Sequence, residues 1–155
     1  MIKGNLIKDV RVISVFFVLS LSVFSCKSQK TFMNDSQVIY NIIFGDGFNN
    51  DMVNLSIDDV NIFEGVYLIS DKSDGVTTKW VHISQDNKYI YVSSSENKEL
   101  KRIDLVSDKI KLKIDYKGKV KEFIAKKENG MYIVISDDGI GNLIFNQSVD
   151  KPIFD

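Results

Sequence analysis

From residue 37 onwards, apolar and polar residues tend to alternate one by one, and turn-forming residues interrupt the alternation every few positions. Alternation with a period of two is typical of half-buried β-strands, because successive side chains of a strand point to opposite faces of the sheet. No segment in this region has an apolar stripe with the helical period of 3.6 residues. The pattern predicts strands over 37–44, 52–57, 60–63, 66–70, 76–84, 89–94, 100–105, 109–116, 119–126, 131–136 and 142–147.

The breaks between these segments contain Gly, Asp and Asn, as in Gly45-Asp46-Gly47 and Asp137-Asp138-Gly139. Such residues tolerate positive φ or hydrogen-bond to their own backbone, so they form tight turns. Many short strands joined by short connections are typical of a β-sandwich or a barrel. We therefore predict an all-β antiparallel β-sandwich of about 8–11 short strands, with a barrel as the alternative.

One hairpin can be aligned from the sequence, and a second has two possible registers. A turn at Asp86-Asn87 places β-branched residues opposite each other, which stabilises a sheet. It pairs Ser84 with Tyr89, Ile83 with Ile90, His82 with Tyr91 and Val81 with Val92. At Lys117-Gly118 the register stays open, because a two-residue loop places Ile114 opposite Lys121 and a three-residue loop places it opposite Glu122.

The first 25 residues have a different pattern. Lys3, Lys8 and Arg11 precede an uncharged apolar run over 12–24. This run is shorter than the roughly 20 apolar residues that a membrane-spanning helix needs. A basic flank followed by a short apolar run is typical of a secretory signal peptide, which folds as a helix and is then removed.

The apolar run ends in Val23-Phe24-Ser25-Cys26, which resembles the lipobox of bacterial lipoprotein precursors. The resemblance covers residues 1–26 and implies cleavage before Cys26, whose thiol then carries a lipid. In some lipoproteins an aspartate directly after the lipidated Cys retains the protein in the inner membrane. This chain has Lys27 at that position. The resemblance therefore implies a lipid anchor in the outer membrane, facing the periplasm. We thus predict a signal peptide over 1–25, a lipidated Cys26 with a polar tether over 26–35, and one domain over 36–155.

The segment from Phe44 to Asp51, running into the alternating residues 52–57, is similar to the opening of immunoglobulin-like or prealbumin-like sandwich modules of bacterial envelope proteins. This resemblance implies a sandwich and no particular function. The same segment offers oxygen ligands of the kind that calcium prefers. These candidate ligands are Asp46, Asn49, Asn50 and Asp51. The alternative is a turn held by side-chain-to-backbone hydrogen bonds, with no cofactor.

The composition narrows the function classes. With 20 basic and 21 acidic residues the formal net charge is −1, so nucleic acid is not an expected partner. One His and one Cys exclude a disulfide framework, a zinc cluster and any mechanism with two histidines. A carboxylate-pair glycoside hydrolase remains the third hypothesis, because such pairs are defined by distance in space and not by sequence spacing. We expect a non-enzymatic protein.

An aromatic strip is the first candidate binding site. If Val81 and Ile83 face the core, the residues between them and their aromatic partners on the next strand face outward. These outward residues are Trp80, His82, Tyr89 and Tyr91. Trp and Tyr are favoured contact residues, so the strip predicts binding of a glycan or a partner protein. Alternatively, a loop or the second sheet covers this face.

A lysine-rich face is the second candidate. Eleven of the 20 basic residues lie within 98–127. Lys109, Lys111 and Lys113 share one face of a predicted strand, and Lys119 and Lys121 are candidates to extend it on the next strand. Such a face favours an acidic partner, as in a periplasmic immunity or inhibitor lipoprotein that neutralises a toxin or hydrolase. The simpler interpretation is a solvated face whose lysines discourage edge-to-edge pairing.

Overall fold

The computed structural model describes residues 36–97, 99–104 and 109–154. The predicted signal peptide, Cys26 and the tether lie outside the described residues. The described residues belong to a compact unit, Asp35–Asp155. Within them no helix has the length and apolar character that crossing a bilayer requires.

The described residues form ten strands, which confirms the all-β prediction and its strand count. The strands are β1 (Gln37–Phe44), β2 (Asn49–Ile57), β3 (Val60–Ile69), β4 (Trp80–Gln85), β5 (Tyr89–Ser94), β6 (Lys101–Asp104), β7 (Lys109–Tyr116), β8 (Lys119–Lys126), β9 (Tyr132–Asp137) and β10 (Leu143–Ser148). A 3-10 turn, Lys127–Asn129, precedes β9.

The strands form two sheets that pack as a sandwich and not as a closed barrel. Sheet A has six strands in the order β10-β9-β1-β4-β5-β6, and sheet B has four in the order β3-β2-β7-β8. Their pairings are antiparallel with one exception, because β1 and β9 are parallel. The chain passes through sheet B between β1 and β4 and again between β6 and β9. It returns to sheet A after the 3-10 turn in the same direction as β1, so β9 lies beside β1 without a hairpin.

Alternation along each strand builds one apolar core between the sheets. Sheet A contributes Ile42, Phe44, Val81, Ile83, Ile90, Ile133 and Ile135, and sheet B contributes Val53, Leu55, Ile57, Leu112 and Ile114, all buried. Aromatic rings join the layers at one end, where the centroids of Phe44 and Phe63 lie 5.7 Å apart. Burial of these side chains is the main driving force for the fold.

Several predicted strand boundaries change in the structure, and β2 begins at Asn49 instead of residue 52. Residues 60–63 and 66–70, predicted as separate strands, join into β3 through a bulge at Gly65, whose φ is 61°. The Asn54 side-chain oxygen accepts the Gly65 N–H at 2.7 Å and holds the bulge. The strand predicted over 76–84 begins only at Trp80.

The β4–β5 register differs from the predicted one by two residues. Ile83 lies opposite Val92, and His82 lies opposite Ser93. The turn closes one residue later than predicted, because the Asp86 carboxylate accepts the N–H groups of Lys88 and Tyr89, both at 2.7 Å. A shift of two residues keeps the same side chains on the outer face.

The β7–β8 hairpin has the two-residue loop. Lys117 and Gly118 both have positive φ, 50° and 71°, as the tight hairpin turn requires. This loop places Leu112 opposite Phe123 and Ile114 opposite Lys121. The three-residue alternative is therefore wrong.

Strands β8 and β10 contact each other along one side of the sandwich. The rings of Phe123 and Phe145 stack there, with centroids 4.8 Å apart and planes at 9°. The Gln147 side-chain amide donates to the carbonyls of Lys126 and Gly130 at 2.7 and 2.6 Å. These contacts tie an edge strand of sheet A to the end of an edge strand of sheet B.

Candidate functional site

The outer face of sheet A carries a row of polar side chains that crosses five strands. Strand registers place the members of this row directly beside one another, so they share one face. In order across the sheet, the polar row consists of Ser148, Tyr132, Asn41, His82 and Ser93.

An adjacent row, which we call the apolar row, consists of Asn146, Val134, Ile43 and Trp80. The Trp80 side chain lies at its end and is 37% exposed. The rings of Trp80 and His82 pack together, with centroids 4.3 Å apart and planes at 37°. The apolar row thus exposes the Trp80 indole, which packs on His82, to the solvent beside the polar row.

The polar row and the apolar row together form what we call the uncharged face. No Lys, Arg, Asp or Glu belongs to either row, although such residues make up 26% of the chain. Partial burial lowers the pKa of His82 below its ordinary value, so its imidazole is neutral at pH 7. A solvated sheet face normally carries charged side chains, so their absence here sets this face apart.

The four predicted aromatic-strip residues share the outer face but form two separate pairs. Trp80 and His82 belong to the uncharged face, whereas the rings of Tyr89 and Tyr91 contact each other at 6.4 Å. The predicted pairing of His82 with Tyr91 is wrong, because the register shift carries Tyr91 to a position opposite Ser84.

The tyrosine pair already has charged partners. The Tyr91 hydroxyl donates to the Asp86 carboxylate at 2.7 Å, which raises the pKa of Tyr91 and lowers that of Asp86. The Tyr89 ring lies 4.5 Å from the Arg102 guanidinium and 4.8 Å from the Lys88 ammonium. These contacts stabilise the β4–β5 turn and the edge strand β6, so Tyr89 and Tyr91 are less available to bind a ligand than Trp80.

Sequence reasoning missed seven of the nine members of the uncharged face, among them Asn41 and Ile43 on β1 and Tyr132 and Val134 on β9. Alternation in β1 and β9 already indicated that these residues point away from the core. The sequence did not predict the parallel β1–β9 pairing, because this pairing joins segments about ninety residues apart and no hairpin aligns them.

The predicted lysine face lies on the outer side of sheet B, but its charges are partly neutralised. Lys109, Lys111 and Lys113 alternate with buried residues on β7, as predicted. The Lys111 ammonium lies 3.1 Å from the Asp59 carboxylate, which raises the pKa of Lys111. Lys113 lies directly opposite Glu122 on β8.

The prediction that Lys119 and Lys121 extend this face is wrong. Their cross-strand partners are Tyr116 and Ile114, which are buried, so both lysines lie on the core side of β8. Strand β8 is an edge strand, and inward-pointing charges at an edge oppose pairing with another chain. The lysines therefore do not form one continuous basic patch.

The candidate calcium segment forms a turn that uses its own oxygens. The Asp46 carboxylate accepts the Gly47 N–H at 2.7 Å, and the Asp51 carboxylate accepts the Asn49 N–H at 2.9 Å. Asn50 has a φ of 58° and lies at an irregularity of β2, where the pairing with β3 shifts between Asn49 and Asp51. Among the described residues, no group of three or more His, Cys, Asp or Glu side chains is arranged to hold a metal ion. Calcium binding stays a prediction, while these contacts are those of the predicted turn.

Asp51 also belongs to a charged network that joins the two sheets. The Lys117 ammonium lies 3.3 Å from the Asp51 carboxylate and 2.9 Å from that of Asp137. The Tyr116 hydroxyl donates to both carboxylates. Burial opposes ionisation of Asp137, but hydrogen bonds from Tyr116, Lys117 and two backbone N–H groups outweigh it and lower the pKa of Asp137 to about 2. Burial and the hydrogen bond to Asp137 raise the pKa of Tyr116.

This network bears on the hydrolase hypothesis. A glycosidase needs one carboxyl group with a raised pKa to act as the general acid. Asp51 and Asp137 converge on one lysine and one tyrosine, and the pKa of Asp137 falls to about 2. The lowered pKa of Asp137 is that of a carboxylate in a structural ion pair with Lys117 and does not suit a general acid.

Comparison of the chain with protein families, curated proteins and solved structures finds no match.

Proposed function

We propose that the protein is a lipid-anchored, non-enzymatic binding protein of the bacterial cell envelope. Its signal peptide directs export, Cys26 carries the lipid that holds it in the outer membrane on the periplasmic side, and the folded domain binds a glycan or a partner protein through the uncharged face. The anchor part of the proposal rests on the lipobox resemblance, and the binding part rests on the structure of sheet A.

The observation that carries the binding part is the absence of charge along two adjacent rows of an outward-facing sheet. The centres of binding interfaces are depleted in charged residues and enriched in Tyr and Trp. Tyr, Trp, Ser and Asn together provide rigid aromatic contacts and adaptable hydrogen bonds at a small entropic cost. The uncharged face has this composition, whereas the outer face of sheet B carries paired charges.

The lysine face supports the inhibitor alternative less well. Electrostatic capture of an acidic partner needs a continuous field of one sign. The ion pair between Lys111 and Asp59, the position of Glu122 opposite Lys113, and the core-side position of two further lysines all reduce that field. We therefore place the contact on sheet A.

The anchor predicts a result at Cys26. Cells that express the full chain and are fed a radiolabelled fatty acid should incorporate the label into the protein, and the protein should sediment with the membranes. A Cys26→Ser variant should lose both the label and the sedimentation, because serine has no thiol for the thioether bond. A Ser28→Cys variant that also carries Cys26→Ser is the matched control, since it restores a thiol at the wrong position. A label that persists in Cys26→Ser would contradict the proposed anchor.

A further inference from the structure

We propose that the ligand of the uncharged face is an uncharged glycan that lies across strands β9, β1, β4 and β5. This inference rests on the proposed function and names the class of ligand. Four properties of the face support it: the absence of charge, the position of Trp80, the hydrogen-bonding chemistry of the polar row, and the length of that row.

The absence of charge disfavours a ligand that carries charged groups, whether a charged glycan or the charged part of a protein surface. About a quarter of the residues of an ordinary protein are charged, and they concentrate on its surface. Charged groups that lie against two rows without a counter-charge lose their water, and this cost goes uncompensated. A neutral glycan presents only hydroxyl, ether and C–H groups, so it meets the uncharged face without this cost.

Trp80 provides the stacking surface that a sugar ring needs. Its indole is 37% exposed and rests against the His82 imidazole, which holds its orientation. The C–H groups on one side of a pyranose are apolar and pack on an aromatic face, as other flat apolar groups do. Ile43 lies beside Trp80 on β1 and continues the apolar row, so a ring on Trp80 meets an apolar neighbour.

The polar row supplies the partners for sugar hydroxyls. Asn41, Ser93, Tyr132 and the neutral His82 each combine a donor with an acceptor, as a hydroxyl group does. Neighbouring strands lie about 4.8 Å apart, so the row from Tyr132 to Ser93 spans about 14 Å over three strand spacings. A row of this length accommodates several linked sugar rings and explains why the face is broad instead of a closed cavity.

The binding test uses the full-length chain in detergent micelles. Trp80 is the only tryptophan, so intrinsic fluorescence reports the site directly. The probes are uncharged oligosaccharides from glucan, xylan, mannan and galactan, with oligogalacturonate as the anionic comparison. At least one uncharged probe should shift the emission saturably, with an affinity that does not change with ionic strength. Absence of a saturable shift with every uncharged probe, or equal binding of oligogalacturonate, would overturn the glycan proposal.

Matched variants locate the binding. Asn41→Ala should weaken binding of that probe about tenfold, because it removes a central hydrogen-bonding group of the polar row. Asn61→Ala, an exposed asparagine on β3 of sheet B, should leave the affinity unchanged. Equal effects of the two substitutions would overturn the assignment of the glycan to the uncharged face.

A second readout distinguishes failure of the glycan proposal from failure of the proposed function. An Ile144→Cys variant, at an exposed position on β10 next to the uncharged face but outside both rows, carries an environment-sensitive fluorophore. It is titrated with envelope extract that has been treated either with protease or with periodate, which destroys sugar rings. The glycan proposal predicts a response that survives protease and disappears after periodate. The reverse result overturns the glycan and leaves the face as a protein contact. No response to untreated extract contradicts both.

Discussion

Asp137→Asn is expected to lower the free energy of unfolding by about 3 kcal/mol, because it breaks a buried charged network. One carboxylate oxygen of Asp137 accepts hydrogen bonds from Tyr116 and Lys117, and the other accepts the N–H groups of Gly139 and Gly141 at 3.1 and 3.0 Å. Both oxygens therefore face donors. An asparagine amide has to turn its NH₂ group towards one of these pairs of donors, in a side chain that is 1% exposed.

The stability loss caused by Asp137→Asn should also depend on pH. The pKa of Asp137 is about 2 in the folded protein, below its value in the unfolded chain, so its contribution is fully present above about pH 5. That contribution, roughly 2 kcal/mol, is lost as the pH falls towards 2. The stability difference between wild type and Asp137→Asn should therefore shrink as the pH falls.

Urea denaturation at pH 7 and at pH 3 or below measures the stability loss and its decrease at low pH. Asp150→Asn, which removes an exposed carboxylate, is the matched control and should change stability by less than about 0.5 kcal/mol. If Asp137→Asn unfolds too readily for a baseline, Tyr116→Phe tests the same network at a smaller cost, about 1–2 kcal/mol. A difference for Asp137→Asn that is as small as that of the control would refute the structural role of the network.

Gly130→Ala should prevent stable folding or cost more than about 4 kcal/mol, which is exceptional for one methyl group. A Cβ at this position would lie 2.1 Å from the carbonyl carbon and oxygen of Ser148 and 2.3 Å from the Val149 nitrogen. Those atoms belong to the backbone at the end of β10, which cannot move without opening the side of the sandwich that Gln147 closes. The φ of 106° adds strain.

Gly118→Ala separates the clash from the strain. Gly118 also has a positive φ, 71°, but a Cβ there would meet no atom within 4 Å. We expect a cost of about 1–2 kcal/mol from the backbone conformation alone. Thermal melting of both variants checks the prediction, and similar melting temperatures would show that the approach of Gly130 to Ser148 is not as close as described.

The alternation of apolar and polar residues predicted most of the fold. It predicted nearly every strand and which side chains of β4, β5 and β7 face the core, because side-chain direction in a strand follows from sequence position alone. The loop Lys117-Gly118 also fits the short hairpin turn, since both residues adopt positive φ. These features depend on local chemistry, which the sequence contains.

The remaining features depend on contacts between distant segments or on small shifts of a turn. The parallel pairing of β1 with β9 creates the uncharged face, and no local signal marks it. The side chain of Asp86 moved the β4–β5 turn by one residue and the register by two, so His82 does not lie opposite Tyr91. The two-residue loop placed Lys119 and Lys121 on the core side of β8, an outcome that the sequence left open.

If the protein binds as proposed, a ligand covers the uncharged face in the cell envelope, and thiol labelling detects this cover. Ser93→Cys places a thiol on the uncharged face, and Ser56→Cys places one at a similarly half-exposed position on the outer face of sheet B. Cys26 is the only native cysteine, and in the proposed protein its thiol is blocked by lipid. Both variants should react with a small maleimide at similar rates after purification. In intact envelopes, Ser93→Cys should react several-fold more slowly while Ser56→Cys is unchanged. Equal reactivity of Ser93→Cys in envelopes and in the purified protein would show that no ligand covers the uncharged face there.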